Sequence, residues 1–165
     1  MTEQVAAATL PATTKTYLTF SLGDERYGID ILKVQEMKSG VKLTPLPMTP
    51  DMVCGLLNVR GEVAPVVDLR QCLSMAKKEA DRNRVVILLT VSALEQQRVR
   101  TVGIVVDAIS ASREIAQQSI KSAPDFSEQR DVSYIIGIAE IDDEIVMLLD
   151  SDILLSIEAL ALAGS

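Results

Sequence analysis

The sequence predicts a mainly β fold of two small, related barrels packed side by side, and three observations predict it. Short segments alternate apolar and polar residues and end at glycine, proline or acidic turn residues. A hairpin pattern recurs: a shift of 82 positions lays Gly55 on Gly137, Glu62 on Glu144, Asp68 on Asp150 and Cys72-Leu73 on Leu154-Leu155. Some strands are apolar on both faces, with Val63 and Val67 on one and Ala64 and Val66 on the other. Such strands are covered on both sides. A parallel α/β sheet would also cover them, but the long crossover helices it needs are missing.

The elements follow in order. Residues 1–15, rich in Ala and Thr with Pro11, read as a flexible tail. Residues 17–22 alternate as a half-buried strand, Gly23-Asp24-Glu25 makes a turn, and residues 26–31 return. Val34-Gln35-Glu36-Met37 continues either extended or as a short helix. Pro45, Pro47 and Pro50 forbid a helix interior in the next connection. Residues 55–59 and 62–67 form the clearest hairpin, with Gly61 supplying the positive φ of a tight turn. Pro65 points to an edge strand or a bulge. Leu69, Cys72, Leu73, Ala76 and Ala80 recur at helical spacing. Strands resume at 84–91 and 99–109, joined by Glu95-Gln96-Gln97-Arg98. A second hairpin at 134–141 and 144–149 turns at Asp142-Asp143, and Ile153, Leu154, Ile157 and Leu160-Ala161 give a last helix its apolar face. Two further echoes keep the order of the repeat, Gly28-Ile29 with Gly103-Ile104 and Pro50-Asp51-Met52 with Pro124-Asp125-Phe126.

Composition narrows the function. The 165 residues carry a net charge of -7, with basic residues scattered. Nucleic acids and anionic lipid surfaces both call for clustered Lys and Arg, so neither is an expected partner. The mixed-sign run Lys77-Lys78-Glu79-Ala80-Asp81-Arg82 reads as a solvated loop or helix end. Cys54 and Cys72 form no C-x-x-C and read as two small buried thiols. The N-terminus lacks the charged and apolar regions of a signal peptide. Apolar runs such as 85–89 are far shorter than the roughly 20 residues of a spanning helix. The expectation is a cytoplasmic protein without direct membrane insertion.

Catalytic chemistry finds little purchase. The chain has no histidine, which removes histidine-based triads and His-ligated metals, and no phosphate-cradling glycine motif occurs. No cofactor or metal is expected. Asp68 and Asp150 stand at equivalent places just before helices, where a carboxylate accepts from first-turn N–H groups. Their alternative reading is a pseudo-symmetric pair in a carboxylate-dependent hydrolase. Asp107 ends a strand and reads as a turn acid, and Asp142-Asp143-Glu144 as a solvated hairpin tip. Arg60, at a hairpin tip, is either a solvated turn arginine or a protein-binding anchor, and Glu36 poses the same choice.

Together these segments resemble the CheW family of chemotaxis coupling proteins, from about residue 17 to residue 155. The most specific match is the hairpin Asn58-Val59-Arg60-Gly61 followed by Pro65-Val66-Val67-Asp68-Leu69-Arg70. Tyr27-Gly28-Ile29-Asp30, Val34-Gln35-Glu36, Gly103-Ile104-Val105-Val106-Asp107 and Leu148-Leu149-Asp150 support it in the same order. The resemblance implies two SH3-like five-stranded β-barrel subdomains around a shared core, with short helices including a C-terminal one. It implies one domain over residues 16–160 between tails at 1–15 and 161–165. It further implies a non-enzymatic adaptor that joins the cytoplasmic hairpin of methyl-accepting chemoreceptors to the regulatory domain of a CheA-type histidine kinase, in arrays at the inner face of the membrane. By the same resemblance, Val34, Glu36, Gly55, Asn58, Arg60, Gly103 and Val106 form or support the receptor-facing groove. Arg60 and Glu36 would be polar anchors, Val34 and Val106 apolar contacts, and the glycines backbone support. The resemblance names no kinase-facing residue. The chain departs from the family in Met37-Lys38-Ser39-Gly40 after Glu36, and in Glu62, an acid set beside Arg60 that would partly neutralise it.

Overall fold

The structure, a computed structural model, describes residues 13–48, 52–73, 84–93, 98–122 and 134–155. The chain runs through β1 (Thr14–Leu22), β2 (Glu25–Asp30), a 3-10 turn at Ile31–Lys33 and β3 (Val34–Ser39). The hairpin of β4 (Val53–Val59) and β5 (Glu62–Asp68) leads into the one-turn helix α1 (Leu69–Cys72). Then come β6 (Val85–Ala93), β7 (Arg98–Val106), β8 (Ala108–Ala116), a 3-10 turn at Gln117–Ser119, β9 (Ile135–Ile141) and β10 (Glu144–Leu149). Residues 151–155 are helical.

Two five-stranded sheets result, ordered β8-β1-β2-β10-β9 and β3-β6-β7-β5-β4. Laying β3 on β8, β4 on β9, β5 on β10, β6 on β1 and β7 on β2 turns one order into the other. Each sheet holds a single parallel pair, β2 with β10 and β5 with β7. Each also closes on itself through the chain that leaves its edge strand. Beyond β3, Thr44 exchanges two backbone hydrogen bonds with Leu56 of β4, at 2.9 and 2.7 Å. Beyond β8, Lys121 does the same with Ile138 of β9, at 2.8 and 2.7 Å. The repeat read from the sequence is thus visible as two matching barrels, the first made of β1, β2 and β8–β10, the second of β3–β7.

Three cores explain strands that are apolar on both faces. Along β6, Val86 and Leu88 point into the second barrel with Leu57, Val59, Ala64, Val66 and Val105. The alternate residues Ile87, Leu89 and Val91 point the other way. There they meet Leu18, Phe20 and Leu22 of β1, Tyr27 and Ile29 of β2, and Leu154 and Leu155 of the last helix. Tyr17, Ile115, Ala139, Val146 and Leu148 fill the first barrel. The period-two alternation of a strand therefore serves two cores at once. The middle core is shared by both sheets.

Several expectations change. Thr14 and Lys15 are strand residues paired with Ala116 and Ile115, so order begins before residue 17. The open choice at 34–37 resolves to strand. β5 is an interior strand, not an edge; Pro65 fits because the parallel ladder to β7 starts only at Val66. The bulge of that hairpin lies in β4, between Val53 and Gly55. Val63 is 61% exposed, so the outer face of β5 is covered only from Val67 onward. The run 99–109 is two strands, split at Asp107, and β8 continues to Ala116. The expectations for residues 1–12, Pro50-Asp51, Ala76 to Arg82, Glu95-Gln96-Gln97, Pro124-Asp125-Phe126 and 156–165 lie outside the described residues. Among the described residues no helix is long and apolar enough to cross a membrane.

Candidate functional site

The β4–β5 hairpin ends in a two-residue turn in which both members have positive φ, 50° at Arg60 and 87° at Gly61. A type I′ turn requires this, and it matches the right-handed twist of the strands. Gly61 adopts it freely, whereas Arg60 needs support. The Asn58 carboxamide oxygen supplies some by accepting from the Gly61 N–H at 3.1 Å.

The turn carries Arg60 to β3, across the open end of the second barrel. Its Nη1 lies 2.5 Å from Glu36 Oε2, and its Nη2 donates to Gln35 Oε1 at 3.0 Å. Lys38 Nζ stands 3.6 Å from the other Glu36 oxygen, so one acid is flanked by two cations. Arg60 is paired with Glu36 rather than with its near neighbour Glu62 in sequence. Gln35 in turn donates from Nε2 to the Thr90 and Thr101 hydroxyls, both at 2.9 Å. Thr90 follows Val86 and Leu88 along β6, and Thr101 precedes Gly103 and Val105 along β7, so both face the barrel interior. The network closes the mouth of the second barrel.

Consecutive strand residues normally face opposite sides of a sheet. Gln35 and Glu36 reach the same guanidinium because β3 carries a bulge there: Val34 pairs with Leu89 and Glu36 with Leu88, leaving Gln35 between them. Val34 is partly buried against the middle core, with Leu32 strongly exposed beside it and Met37 half exposed further along β3.

The remaining expected residues sit below this surface. A Cβ at Gly55, whose φ is 148°, would stand 2.6 Å from the Thr44 carbonyl oxygen, so glycine is required where the barrel closes. A Cβ at Gly103 would meet Val66 Cγ2 and Val86 Cγ1 at 3.0 Å each. Val106 is 0% exposed in the middle core. The expectation that Val106 offers an apolar contact is therefore corrected: it has no surface to offer and packs in the middle core, on the face of β7 turned away from the second barrel. Glu36, Asn58 and Arg60 converge at the barrel mouth, while Gly55 and Gly103 lie within the wall of the same barrel and Val106 lies in the middle core. Sequence reasoning missed Gln35 as a site residue, since a bulge leaves no mark in an alternation pattern.

Asp68 and Asp150 act as caps. Asp68 Oδ1 accepts from the Arg70 N–H at 3.0 Å, and Asp150 Oδ1 from the Ile153 N–H at 3.1 Å. Asp68 also lies 3.0 Å from Arg84 Nη2. Asp107 does more than turn the chain. It accepts from Arg70 Nη2 at 2.6 Å and from the Gly23 N–H at 2.7 Å, with both ion-pair side chains nearly buried. This hydrogen bond, outweighing the opposing effect of burial, raises the Arg70 pKa further. The pair ties α1, the β1–β2 turn and the β7–β8 bend into one unit. At the other hairpin tip Asp142 pairs with Arg113, and Arg26 with Glu144.

Known proteins resemble this chain in sequence and fold. The sequence profile of the CheW-like domain matches residues 16–159. The chemotaxis protein CheW of Klebsiella aerogenes is 38% identical over 149 residues, covering 90% of this chain and 86% of that protein. The chemotaxis protein CheW of Rhizobium meliloti is 30% identical over 135 residues, covering 82% and 83%. The crystal structure of the scaffolding protein TtCheW from Thermoanaerobacter tengcongensis superposes with a TM-score of 0.75 at 29% identity, covering 86% of this chain and 92% of that one. With its repeated hairpins, twin closed sheets and Asn-x-Arg-Gly turn, the chain belongs to the CheW family of chemotaxis scaffold proteins.

Proposed function

We propose that this chain couples the cytoplasmic helical hairpin of a methyl-accepting chemoreceptor to the regulatory domain of a CheA-type histidine kinase, in cytoplasmic arrays beneath the membrane. The observation that carries the reading is the Arg60–Glu36 pair held across the mouth of the second barrel, on a family scaffold. Arg60 is 66% exposed, so it remains available to a partner while its position is fixed. Glu36 is the second polar anchor, and partly buried Val34 offers apolar contact at the edge of β3. Asn58, Gly55 and Gly103 hold the turn and the strands beneath it, and Val106 packs behind β7 in the middle core. The mechanism needs no bond-making. The adaptor holds two partners at a fixed spacing, and a receptor shift reaches the kinase as a coupling free energy of about 1–3 kcal/mol.

Co-sedimentation with receptor cytoplasmic fragments and the cognate kinase tests this. Arg60→Ala is expected to lower receptor-dependent kinase recruitment about tenfold, the range of an interface anchor, while the protein stays folded. Full recruitment by the folded variant would remove Arg60 from the site. No recruitment by the native protein would overturn the coupling role.

A further inference from the structure

We infer that Gln35 is a positioning residue for Arg60, fixing the direction in which the guanidinium meets its partner; the inference rests on the coupling role proposed above. The amide has one way to face. Its Nε2 donates to two hydroxyls, Thr90 and Thr101, which leaves Oε1 turned outward to Arg60 Nη2. The two hydroxyls come from neighbouring interior strands, so the amide is anchored to the body of the barrel and not to a loop. The bulge in β3 then sets Gln35 beside Glu36, and one guanidinium is gripped by two acceptors on two of its nitrogens.

An exposed arginine on a strained turn would otherwise lose much rotamer freedom on binding, and a grip made in advance removes part of that cost. The neutrality of Gln35 matters as well. Glu36 faces two cations, Arg60 and Lys38, and Glu62 stands two residues from Arg60, so the acids and bases of the patch already balance. A further carboxylate at position 35 would turn it net negative. An amide therefore orients the arginine without discharging it, which suits an acidic group on the partner.

The test is a double-mutant cycle on receptor-fragment and kinase co-sedimentation, with Arg60 side-chain 15N NMR on the free protein. Gln35→Met, close in shape but without the amide, is expected to weaken recruitment about three- to tenfold in the native background and less than about twofold in the Arg60→Ala background. The Arg60 guanidinium should reorient faster in Gln35→Met than in the native protein. Thr101→Val, which frees one amide hydrogen, should move both readouts the same way by less, and serves if Gln35→Met does not fold. Equal weakening in both backgrounds, or unchanged Arg60 dynamics, would overturn the positioning role. The NMR arm needs no receptor. Native protein that fails to recruit kinase yet shows Arg60 released by Gln35→Met would therefore reject the coupling role alone.

Discussion

Gly28 faces Leu148 across the parallel pair of the first barrel as Gly103 faces Val66 in the second. Both glycines stand where side chains from several strands converge inside a barrel. The two sites differ in what could yield. At Gly28 a Cβ would press mainly on a Leu148 δ-methyl, at 2.9 Å, which can rotate aside. At Gly103 it would press on two valines that are stiff at χ1. Gly103→Ala is expected to cost about 1–3 kcal/mol, and Gly28→Ala less. Urea denaturation of both variants checks the order, and the reverse order would refute this account of the packing.

The closure of the second barrel is less forgiving. Gly55→Ala sets a methyl against the Thr44 carbonyl, which is backbone and paired with Leu56. With the positive φ added, the cost should reach about 3 kcal/mol. Hydrogen exchange at the Leu56 amide should accelerate more than at Ile138, the matching amide of the other barrel.

Breaking the Arg70–Asp107 pair strands a nearly buried guanidinium, with 11% of the Arg70 side chain exposed. Asp107→Ala should destabilise by about 3–5 kcal/mol. Replacing both partners by apolar residues, Arg70→Met with Asp107→Leu, should recover most of that loss. A double variant no more stable than Asp107→Ala would show that the Gly23 hydrogen bond, and not the ion pair, dominates.

Burial first, and then the hydrogen bond donated to Glu25 at 2.7 Å, hold the Tyr27 phenol well above its usual pKa of 10.0. Below that value both states keep the proton and the contribution to stability is whole. Above it the unfolded chain ionises first, so stability falls as the pH rises. Tyr27→Phe lacks this slope. The stability gap between native protein and variant should shrink from pH 8 to pH 11, and a constant gap would contradict the assignment.

Val106→Ala opens a cavity in the middle core and should cost about 2 kcal/mol. Recruitment of kinase per folded molecule should stay at the native level. A loss of recruitment without a loss of stability would return Val106 to the binding surface.

Much of the fold was legible because its regularities are local. The two hairpins announced themselves through turn residues, and the repeat through matching glycines and acids. β8 was not legible, because in the edge strand reading Ala-Ile-Ser-Ala-Ser-Arg-Glu-Ile-Ala only Ile109 and Ile115 near its ends reach a core and the residues between are exposed, so no alternation shows; its partner β1 defines it. Pro65 misled because its missing donor matters only where a second strand pairs, one residue later. At the site, the Arg60 turn was readable from its glycine, but the meeting of Arg60 with Glu36 depends on barrel curvature. Gln35 depends on a bulge. Val106 was misread because a valine pattern does not say which of two cores, or which surface, a strand face meets.

The nesting of the strands has a consequence for synthesis. The second barrel uses β3–β7 in unbroken succession, so a growing chain can close it as soon as Val106 has emerged. The first barrel must wait for β10, which the ribosome delivers several seconds later at ordinary rates. During that interval β1 can pair with β2 and, once it emerges, with β8, but β2 has no parallel neighbour. A chain truncated before Glu144 would keep the Arg60 turn yet leave Tyr17 and Gly28 without Leu148 to cover them. Such fragments should be ready prey for chaperones and proteases.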